Sequence, residues 1–353
     1  MDTAQLLNTL LAGTDLSTAE TKAFLDEVVG GGMTPAQIAA VIIALRMKGE
    51  TADEIAGLLA AMRSHMVKLD ARGAIDIVGT GGDGSGTFNI STAAAFVAAG
   101  AGAKIAKHGN RAASSKCGSA DVLEALGVNI TLTPEQAQVV FDKAGIVFML
   151  APLYHAALKQ VVLVRKELKV RTIFNILGPF ANPAGTKRQL IGVPDVETAK
   201  KMSKVVPLFD YERVILVASE DGLDEISLSA KTKAFDIRGT SVKAFTIDPK
   251  KLGFKASTRK DILGGTAEEN ARIIRDILAG GRASKDGARH DFAKSGPKRD
   301  IVVLNTAFAL YAAGIAQTPK DGIALAEKSI DTGAARSALE RLIKETNAFP
   351  KTV

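Results

Sequence analysis

The feature that most constrains the fold of this chain is a change of hydrophobic pattern near Ala74. Beyond it, short apolar runs alternate with longer amphipathic segments at helical spacing. Such alternation is typical of an α/β domain, in which helices flank a mostly parallel central sheet. The expected strands cover residues 75–78, 104–106, 146–150, 190–193, 214–218, 235–237 and 242–247. The expected helices cover residues 93–99, 120–126, 134–144, 154–168, 196–209, 266–279 and 300–313, with a final pair between 320 and 347.

Residues 1 to about 70 show helical patterns only. Capping boxes, which mark helix starts, are formed by Ser17 with Glu20, Thr34 with Gln37, and Thr51 with Glu54. Apolar residues recur at helical spacing after each of them, without the alternation of a strand. We therefore expect a small N-terminal helical domain over residues 1–70 and an α/β domain over residues 71–353.

Composition places the chain among globular enzymes without a disulfide framework. Its 353 residues suffice for two domains, and 46% hydrophobic with 24% charged residues excludes an intrinsically disordered class. A single cysteine, Cys117, indicates a reducing compartment, so a cytoplasmic location is expected. The four histidines lack the short spacing of a structural zinc site. No run approaches the roughly 18 apolar residues of a membrane helix, and no signal peptide is visible.

The net charge of +7 is compatible with a nucleic acid or another anion as partner. The cations are interspersed with Asp and Glu, and the chain has no Trp and three Tyr. Because single-strand binding depends on aromatic stacking platforms, this composition disfavours a nucleic-acid partner. A solvated basic surface explains the charge more simply.

A glycine-rich turn follows the first expected strand. It reads Gly79-Thr-Gly-Gly-Asp-Gly84 and leads to Asn89-Ile-Ser-Thr92, with a helix expected to start near Ser91. Glycines let the main chain approach a ligand closely, and the free N–H groups of a helix start favour an anion. Ser91 also suits the simpler role of an N-cap. Asp83 would repel phosphate, so we expect it to accept hydrogen bonds from sugar hydroxyls or from N–H groups of the loop.

Two better-known glycine loops do not fit this turn. Gly79, Gly81 and Gly84 match the dinucleotide-binding spacing, but residues 85–89 separate them from the helix. Lys107-His108 stands where the ribose-binding acid of that fold belongs. Ser85 occupies the place of the lysine in a phosphate-binding P-loop. An ordinary structural turn remains the alternative to an anion site.

A second polar turn follows the next expected strand. Its donors are Lys107, His108, Asn110, Arg111, Ser114, Ser115, Lys116 and Ser119. The layout is again a strand, a donor-rich turn and a helix start, which is suited to an anion. Two such sites in one sheet can hold both ends of a ligand that carries phosphate and diphosphate, although ordinary turn residues and surface cations explain part of the set.

The motifs of these turns closely resemble those of the anthranilate phosphoribosyltransferase family of the tryptophan pathway. In chain order the motifs are Gly79-Thr-Gly-Gly-Asp83, Asn89-Ile-Ser-Thr92, Lys107-His-Gly-Asn-Arg111, Lys116-Cys-Gly-Ser-Ala-Asp-Val-Leu-Glu-Ala-Leu-Gly127, Arg171-Thr-Ile-Phe-Asn-Ile-Leu-Gly-Pro179 and Asp221-Gly-Leu-Asp-Glu225. The resemblance spans nearly the whole chain in the family's order and spacing. The related pyrimidine nucleoside phosphorylases share the fold and a lysine-rich second turn, but they do not carry the whole motif set.

The resemblance implies the substrates 5-phosphoribosyl 1-diphosphate (PRPP) and anthranilate, the cofactor Mg²⁺, and a homodimer formed through the helical domain. The implied PRPP-binding residues are Gly79, Gly82, Asp83, Thr87, Asn89, Ile90, Ser91, Thr92, Lys107, Ser115 and Ser119. The implied anthranilate-binding residues are Gly79, His108, Asn110, His155, Arg165, Gly178 and Pro179. Ser91, Asp224 and Glu225 would hold the metal, and Lys107 and Arg165 would be catalytic. The helical segment at about 154–185 would pack toward the helical domain.

The residue types agree with these implied roles. Asp224 and Glu225 follow an expected strand, and adjacent hard oxygen ligands suit Mg²⁺ bridged to a diphosphate, although such a pair is often only solvated. Arg165 follows an apolar helical stripe, and its guanidinium can pair bidentately with an aryl carboxylate, although an exposed helix arginine is the simpler interpretation. His155, expected to begin the same helix, suits a structural role as well as a catalytic one.

Three features depart from the family pattern, and one of them is the polar, glycine-rich segment over residues 280–298, which is longer than usual and is expected to be an exposed loop. Ala218-Ser219-Glu220 stands where a histidine-glycine pair usually precedes the Asp-Gly-Leu-Asp-Glu motif, and Ala156 replaces a usual proline. Two alternatives are a pyrimidine nucleoside phosphorylase-like enzyme, which has no use for Arg165, and a non-catalytic nucleic-acid-binding relative. The intact glycine loop argues against the second alternative, because a DNA-binding protein has no need of it.

Overall fold

The computed structural model describes residues 2–112, 115–280 and 295–351. It confirms the expected class: a small N-terminal helical bundle precedes a larger α/β domain with a mostly parallel sheet. Ser114, expected in the second polar turn, and residues 281–294, expected in an exposed loop, lie outside the described residues.

Three of the four helices described in the bundle begin where the capping boxes predict. The four helices are α1 (Thr3–Leu11), α2 (Thr18–Val29), α3 (Pro35–Lys48) and α4 (Ala52–His65). In α2, α3 and α4, both hydrogen bonds of the expected capping box are present. Each box satisfies N–H groups that have no partner inside the helix, so the local sequence sets the helix start.

The sheet has seven strands in the order β3-β2-β1-β4-β5-β6-β7. They are β1 (Ile75–Gly79), β2 (Ile105–Gly109), β3 (Ile146–Leu150), β4 (Arg188–Gly192), β5 (Arg213–Ser219), β6 (Thr232–Arg238) and β7 (Ser241–Ile247). Strands β1 to β5 are parallel, and β6 and β7 pair antiparallel. The strand order reverses between β1 and β4, where open α/β sheets bind their ligands at the carboxyl ends of the strands.

Most helices of the α/β domain lie close to their expected positions. They are α5 (Ile90–Gly100), α6 (Ser119–Ala125), α7 (Pro134–Ala144), α8 (Ala151–Tyr154), α9 (Lys159–Leu168), α10 (Phe174–Leu177), α11 (Val196–Val205), α12 (Ala267–Leu278), α13 (Pro297–Ala313), α14 (Pro319–Asp331) and α15 (Ala334–Thr346). Short 3-10 turns cover Ala156–Leu158, Gly178–Ala181, Val206–Leu208, Pro249–Leu252 and Arg259–Ile262.

The prediction of one helix over residues 154–168, begun by His155, is wrong. The chain leaves the helix at His155, which has φ −119° and ψ 36° and separates α8 from the following 3-10 turn. His155 Nε2 lies 3.0 Å from the main-chain oxygen of Ala181. A tertiary contact of this kind overrides local helix propensity and is invisible in the hydrophobic pattern.

Two hydrophobic cores lie on opposite faces of the sheet. Strand β5 shows the division, because Ile215 and Val217 belong to one core and Leu216 to the other. The second core also contains Phe24 of the helical bundle and Val164 of α9. The bundle, the segment around α9 and one sheet face therefore share a single apolar interior. Within the described ranges, no helix is long and apolar enough to span a membrane.

Candidate active site

The glycine loop begins at the carboxyl end of β1, beside the end of β4. Gly79 pairs with Gly192 across these strands, and Asp224 lies directly over both. A Cβ on Gly79 would lie 2.9 Å from Asp224 Cγ, and a Cβ on Gly192 would overlap the main-chain oxygen of Asp224. Both positions therefore require glycine for Asp224 to reach the sheet edge. Gly192 was not among the predicted site residues, because strand pairing cannot be read from the sequence.

The loop itself adopts a conformation open only to glycine. Gly81, Gly82 and Gly84 have φ values of 71°, 69° and 68°. A tight turn of this kind leaves few main-chain N–H groups bonded within secondary structure, and free N–H groups in turns can bind an anion. One of these groups, Gly81 N–H, already donates to Asp224 Oδ2 at 2.6 Å.

Asp83 holds the loop closed rather than repelling a ligand. Its Oδ1 accepts hydrogen bonds from Ser85 N at 3.0 Å and Ser85 Oγ at 2.9 Å. The expectation that Asp83 accepts bonds from loop N–H groups is thereby confirmed. Thr87 lies next to it, with Oγ1 3.3 Å from Ser85 Oγ.

The amino end of α5 faces the same region. Asn89 is the N-cap residue, so the simpler role of Ser91 as N-cap is wrong, and Ser91 lies in the first turn instead. The Asn89 side chain makes no capping bond and accepts from Asn270 Nδ2 at 3.0 Å. Ile90 is buried in the core, which leaves only its main chain for a ligand. The Thr92 hydroxyl is buried without a partner, and such a group is costly unless a ligand or water bonds to it.

Lys107 is buried below the start of α5. Its Nζ donates to the Ile77 carbonyl oxygen at 2.6 Å and to Ser91 Oγ at 3.3 Å. Burial lowers the pKa of Lys107, while the negative charges of Asp76 and Glu225 oppose that shift. An ammonium has three donor hydrogens, so one remains for an anion at the helix start.

Acidic side chains converge beside this lysine. Burial, and then repulsion from Asp83, raises the pKa of Asp224 to about 7. Burial, and then repulsion from Asp224, raises the pKa of Glu225 to about 8. Glu225 Oε1 accepts from the N–H of Ser91 at 3.1 Å. A cation placed among these carboxylates would relieve the repulsion.

The donor set fits Mg²⁺ held jointly by protein and ligand. Within the described parts of the chain, no group of three or more His, Cys, Asp or Glu side chains forms a metal cage. Mg²⁺ commonly uses one or two carboxylates and completes its shell with water and substrate phosphates. Asp224, Glu225 and the Ser91 hydroxyl supply such a partial set of oxygen ligands.

The second polar turn is divided between structural and accessible groups. Arg111 pairs with Asp121 at 3.1 Å and with Glu124 at 2.9 Å, so its charge is already compensated. Ser119 begins α6 and its Oγ donates to the main-chain oxygen of Asn110 at 3.3 Å. Asn110 and Ser115 are exposed. Their side chains remain accessible to a ligand at this edge.

Two histidines face each other beside a 3-10 turn. The rings of His108 and His155 lie 5.1 Å apart at an angle of 49°. Burial and the neighbouring His155 lower the pKa of His108 to about 3, so His108 is neutral at pH 7. Burial also lowers the pKa of His155. Gly178 starts the turn and a Cβ there would meet no atom within 4 Å, so open space adjoins Gly178 and the buried Pro179.

Arg165 lies in the last turn of α9 and is half-buried. Its pKa is lowered by burial. In the described part of the chain, it has no ion-pair partner among the carboxylates. The interpretation of Arg165 as an exposed helix arginine is therefore wrong. A desolvated guanidinium without a carboxylate partner is suited to an anionic ligand.

One cation beside the loop was not predicted as a site residue. Arg171 follows α9, and its Nη2 lies 3.4 Å from the main-chain oxygen of Gly81. A Cβ on Gly82 would lie 2.6 Å from the same nitrogen, so the absence of a side chain at Gly82 makes room for Arg171. Arg171 begins the family motif that ends at Pro179, and membership of that motif is the one signal of its role in the sequence.

The helical bundle and the α/β domain each match a domain of a known protein family. Residues 4–66 match the helical bundle domain of a glycosyl transferase family, and residues 71–336 match its α/β domain. The chain therefore has the two-domain organisation of a glycosyl transferase.

Similarity to individual relatives identifies the particular family of glycosyl transferases to which the chain belongs. The anthranilate phosphoribosyltransferase of Thermomicrobium roseum is 48% identical over 98% of this chain and 97% of its own length. The crystal structure of anthranilate phosphoribosyltransferase from Thermus thermophilus is 36% identical, with a TM-score of 0.87, over 97% of this chain and 99% of that one. The Saccharomyces cerevisiae enzyme in complex with PRPP and Mg is 29% identical, with a TM-score of 0.87, over 98% of both chains. The chain belongs to the anthranilate phosphoribosyltransferase family, which confirms the resemblance seen in its motifs.

Proposed function

We propose that this protein transfers the 5-phosphoribosyl group from PRPP to the amine of anthranilate. The products are N-(5-phosphoribosyl)anthranilate and diphosphate, in the second step of tryptophan synthesis from chorismate. The observation that carries the proposal is the meeting of the glycine loop, Lys107 and the Asp224–Glu225 pair at one sheet edge. That edge lies where the strand order reverses, in a chain that belongs to the corresponding family.

The glycine loop and the start of α5 form the proposed PRPP site. Its residues are Gly79, Gly82, Asp83, Thr87, Asn89, Ile90, Ser91, Thr92, Lys107, Ser115 and Ser119. Free N–H groups and the helix dipole favour the anionic ends of this sugar. Lys107 adds a positive charge that is already in place before the reaction.

Ser91, Asp224 and Glu225 are the proposed ligands of Mg²⁺. When bound, the metal supplies positive charge to the diphosphate as the bond to the ribose breaks. Asp224 is held for this role by the bond from Gly81 N–H, and Glu225 by the bond from Ser91 N–H.

The proposed anthranilate site contains Gly79, His108, Asn110, His155, Arg165, Gly178 and Pro179. Arg165 would pair with the carboxylate of anthranilate, because its half-buried guanidinium has no carboxylate partner within the described part of the protein. The neutral His108 and the open space beside Gly178 suit an aromatic ring. Ala156, which follows His155, gives this side of the site a smaller and more flexible residue than the proline usual in the family.

Catalysis would depend on position and electrostatics. Substitution at the anomeric carbon passes through a cationic, oxocarbenium-like transition state, while negative charge grows on the departing diphosphate. Lys107 and the loop N–H groups stabilise that charge without reorganising. An aromatic amine is neutral near pH 7, so its attack requires no strong base, and no obligatory general base is assigned. Lys107 and Arg165 are the proposed catalytic residues.

We also propose a cytoplasmic homodimer with domains at 1–70 and 71–353. Its interface would use exposed apolar side chains of the helical bundle and of the α9 segment: Leu11, Met47, Val162, Leu163 and Val170. Their exposed fractions run from 44% to 82%, and these side chains would supply the apolar contacts of such an interface. The buried free thiol of Cys117 agrees with a reducing compartment.

The decisive test of the activity is the fluorescence of anthranilate. Emission should decay only when the protein, PRPP and Mg²⁺ are all present. Cleavage of a nucleoside by phosphate without any decay of anthranilate emission would favour a nucleoside phosphorylase instead. Salt-sensitive DNA binding with persistent emission would favour the nucleic-acid-binding alternative.

A further inference from the structure

The 3-10 turn Gly178–Ala181 is held by side chains from several distant elements. The Pro179 carbonyl oxygen accepts a hydrogen bond from Gln189 Nε2 at 3.3 Å. The Ala181 carbonyl oxygen lies 3.0 Å from His155 Nε2 and accepts a second bond. The following residue, Asn182, donates to Asp76 Oδ2 at 2.7 Å. A 3-10 turn has poor internal hydrogen-bond geometry, so external donors determine its position.

Arg63 provides the most extensive of these attachments. It lies on α4 of the helical bundle, and both Nε and Nη2 donate to the Phe180 carbonyl oxygen, at 3.0 and 2.8 Å. Phe180 is fully buried, so its carbonyl would be costly to leave without a donor. Two donors that converge on one oxygen restrain that carbonyl more than a single donor does.

Aromatic rings hold the Arg63 guanidinium in place. Its carbon lies 4.6 Å from the centre of the Phe209 ring and 4.8 Å from that of Tyr211. Nη2 also donates to the Tyr211 hydroxyl, which in turn donates to the Phe180 oxygen at 3.1 Å. Burial raises the pKa of Tyr211, so the phenol keeps the proton that it donates.

The charge of Arg63 is not compensated by a carboxylate in the described part of the chain. Its guanidinium instead contacts a carbonyl, a phenol and two ring faces. The planar guanidinium of arginine can make all of these contacts at once, whereas the compact ammonium of lysine cannot. The geometry of the side chain, more than its charge, therefore positions the turn.

We propose that Arg63, supported by Tyr211, is a positioning residue that fixes the acceptor-binding turn relative to the helical bundle. The inference rests on the proposed function, because Gly178 and Pro179 of this turn are expected to contact anthranilate. Neither Arg63 nor Tyr211 needs to touch a substrate. A shift of about 1 Å in the turn would misplace the acceptor and reduce its productive binding by up to about 100-fold.

The test compares KM values for the two substrates in Arg63→Lys and Tyr211→Phe. Arg63→Lys keeps the charge and loses the fork, and its KM for anthranilate should rise by about tenfold while that for PRPP stays within about twofold. Tyr211→Phe keeps the ring and loses the hydroxyl, so a smaller rise, also confined to anthranilate, is expected. The Tyr211→Phe variant still tests the inference if Arg63→Lys does not fold.

Arg275→Lys is the matched control. Arg275 also donates to a main-chain oxygen, that of Ala125 at 3.0 Å, but it lies on α12. Both of its KM values should equal those of the wild type. Assays run at a temperature where circular dichroism shows each variant fully folded.

An anthranilate KM unchanged in both test variants, or equal rises for both substrates, would overturn the inference and leave the proposed function standing. Absence of turnover in the wild type would overturn both. A selective rise for anthranilate supports the inference, because simple loss of stability does not discriminate between two substrates.

Discussion

Replacement of Gly192 by alanine should disable the proposed metal site by displacing its ligands, although it removes no side chain that could bind a substrate or a metal. Gly192 ends β4 beside Gly79, and an added Cβ would overlap the main-chain oxygen of Asp224. It would also lie 3.3 Å from Asp224 Cα, so rotation of the peptide alone gives no relief. The turn that carries Asp224 and Glu225 must then move by at least about 1 Å to restore ordinary contacts.

The cost of that movement follows from the bonds that it breaks. Asp224 Oδ2 accepts from Gly81 N at 2.6 Å and Glu225 Oε1 from Ser91 N at 3.1 Å, and neither bond survives such a shift. Displacement of catalytic groups by about 1 Å typically costs about 100-fold in rate. Overpacking should lower the free energy of unfolding by about 1–3 kcal/mol, which leaves a folded protein.

The assay follows anthranilate fluorescence at saturating PRPP over a magnesium titration. We expect kcat to fall by about 100-fold and the magnesium requirement to rise in Gly192→Ala. Gly30→Ala is the control, because its Cβ would lie 3.4 Å from the nearest oxygen and its φ is −70°. Wild-type kcat and magnesium dependence in Gly192→Ala would refute the assignment of this turn to the metal.

Three further perturbations test other parts of the site and surface. Lys107→Met should lower kcat by about 100-fold or more, because a prepositioned charge at the diphosphate is lost, and steady-state kinetics equal to wild type would contradict this. The raised pKa values of Asp224 (about 7) and Glu225 (about 8) mean that the folded state holds protons that the unfolded state releases near pH 4. In the absence of magnesium, the free energy of unfolding measured with urea should therefore fall as pH rises from about 4 to 8; an unchanged slope in Asp224→Asn would exclude this cause. Leu163→Glu should halve the solution mass measured by light scattering, whereas Leu208→Glu, at a similarly exposed leucine elsewhere, should not; a wild-type mass for Leu163→Glu would exclude this interface.

Local sequence predicted those features that depend on near neighbours. The capping boxes at Ser17, Thr34 and Thr51 placed three helix starts correctly, since both partners of each box lie within one turn. The alternation of apolar runs predicted the strands for the same reason. The glycine loop was recognisable because glycine can adopt positive φ without steric cost, and Gly81 and Gly82 do so in the structure.

Features that depend on distant neighbours were missed or misjudged. The contact between Gly192 and Asp224 depends on β4 lying next to β1, which follows from the complete strand order. The helix break at His155 depends on a bond to Ala181, and the half-burial of Arg165 depends on the tertiary packing of α9, which contacts α3 of the bundle. Ser91 resembled an N-cap because the sequence did not show that the N-cap lies two residues earlier, at Asn89.

Calorimetric titration of PRPP into the magnesium-loaded protein measures whether this sheet edge binds the sugar. We expect a clear heat of binding in the wild type and its loss in the double variant Asp224→Asn with Glu225→Gln. Omission of magnesium should weaken binding in the wild type but make no difference in that variant. No heat in the wild type, or equal heats in the two proteins, would contradict a sheet edge that holds an activated sugar through its phosphates.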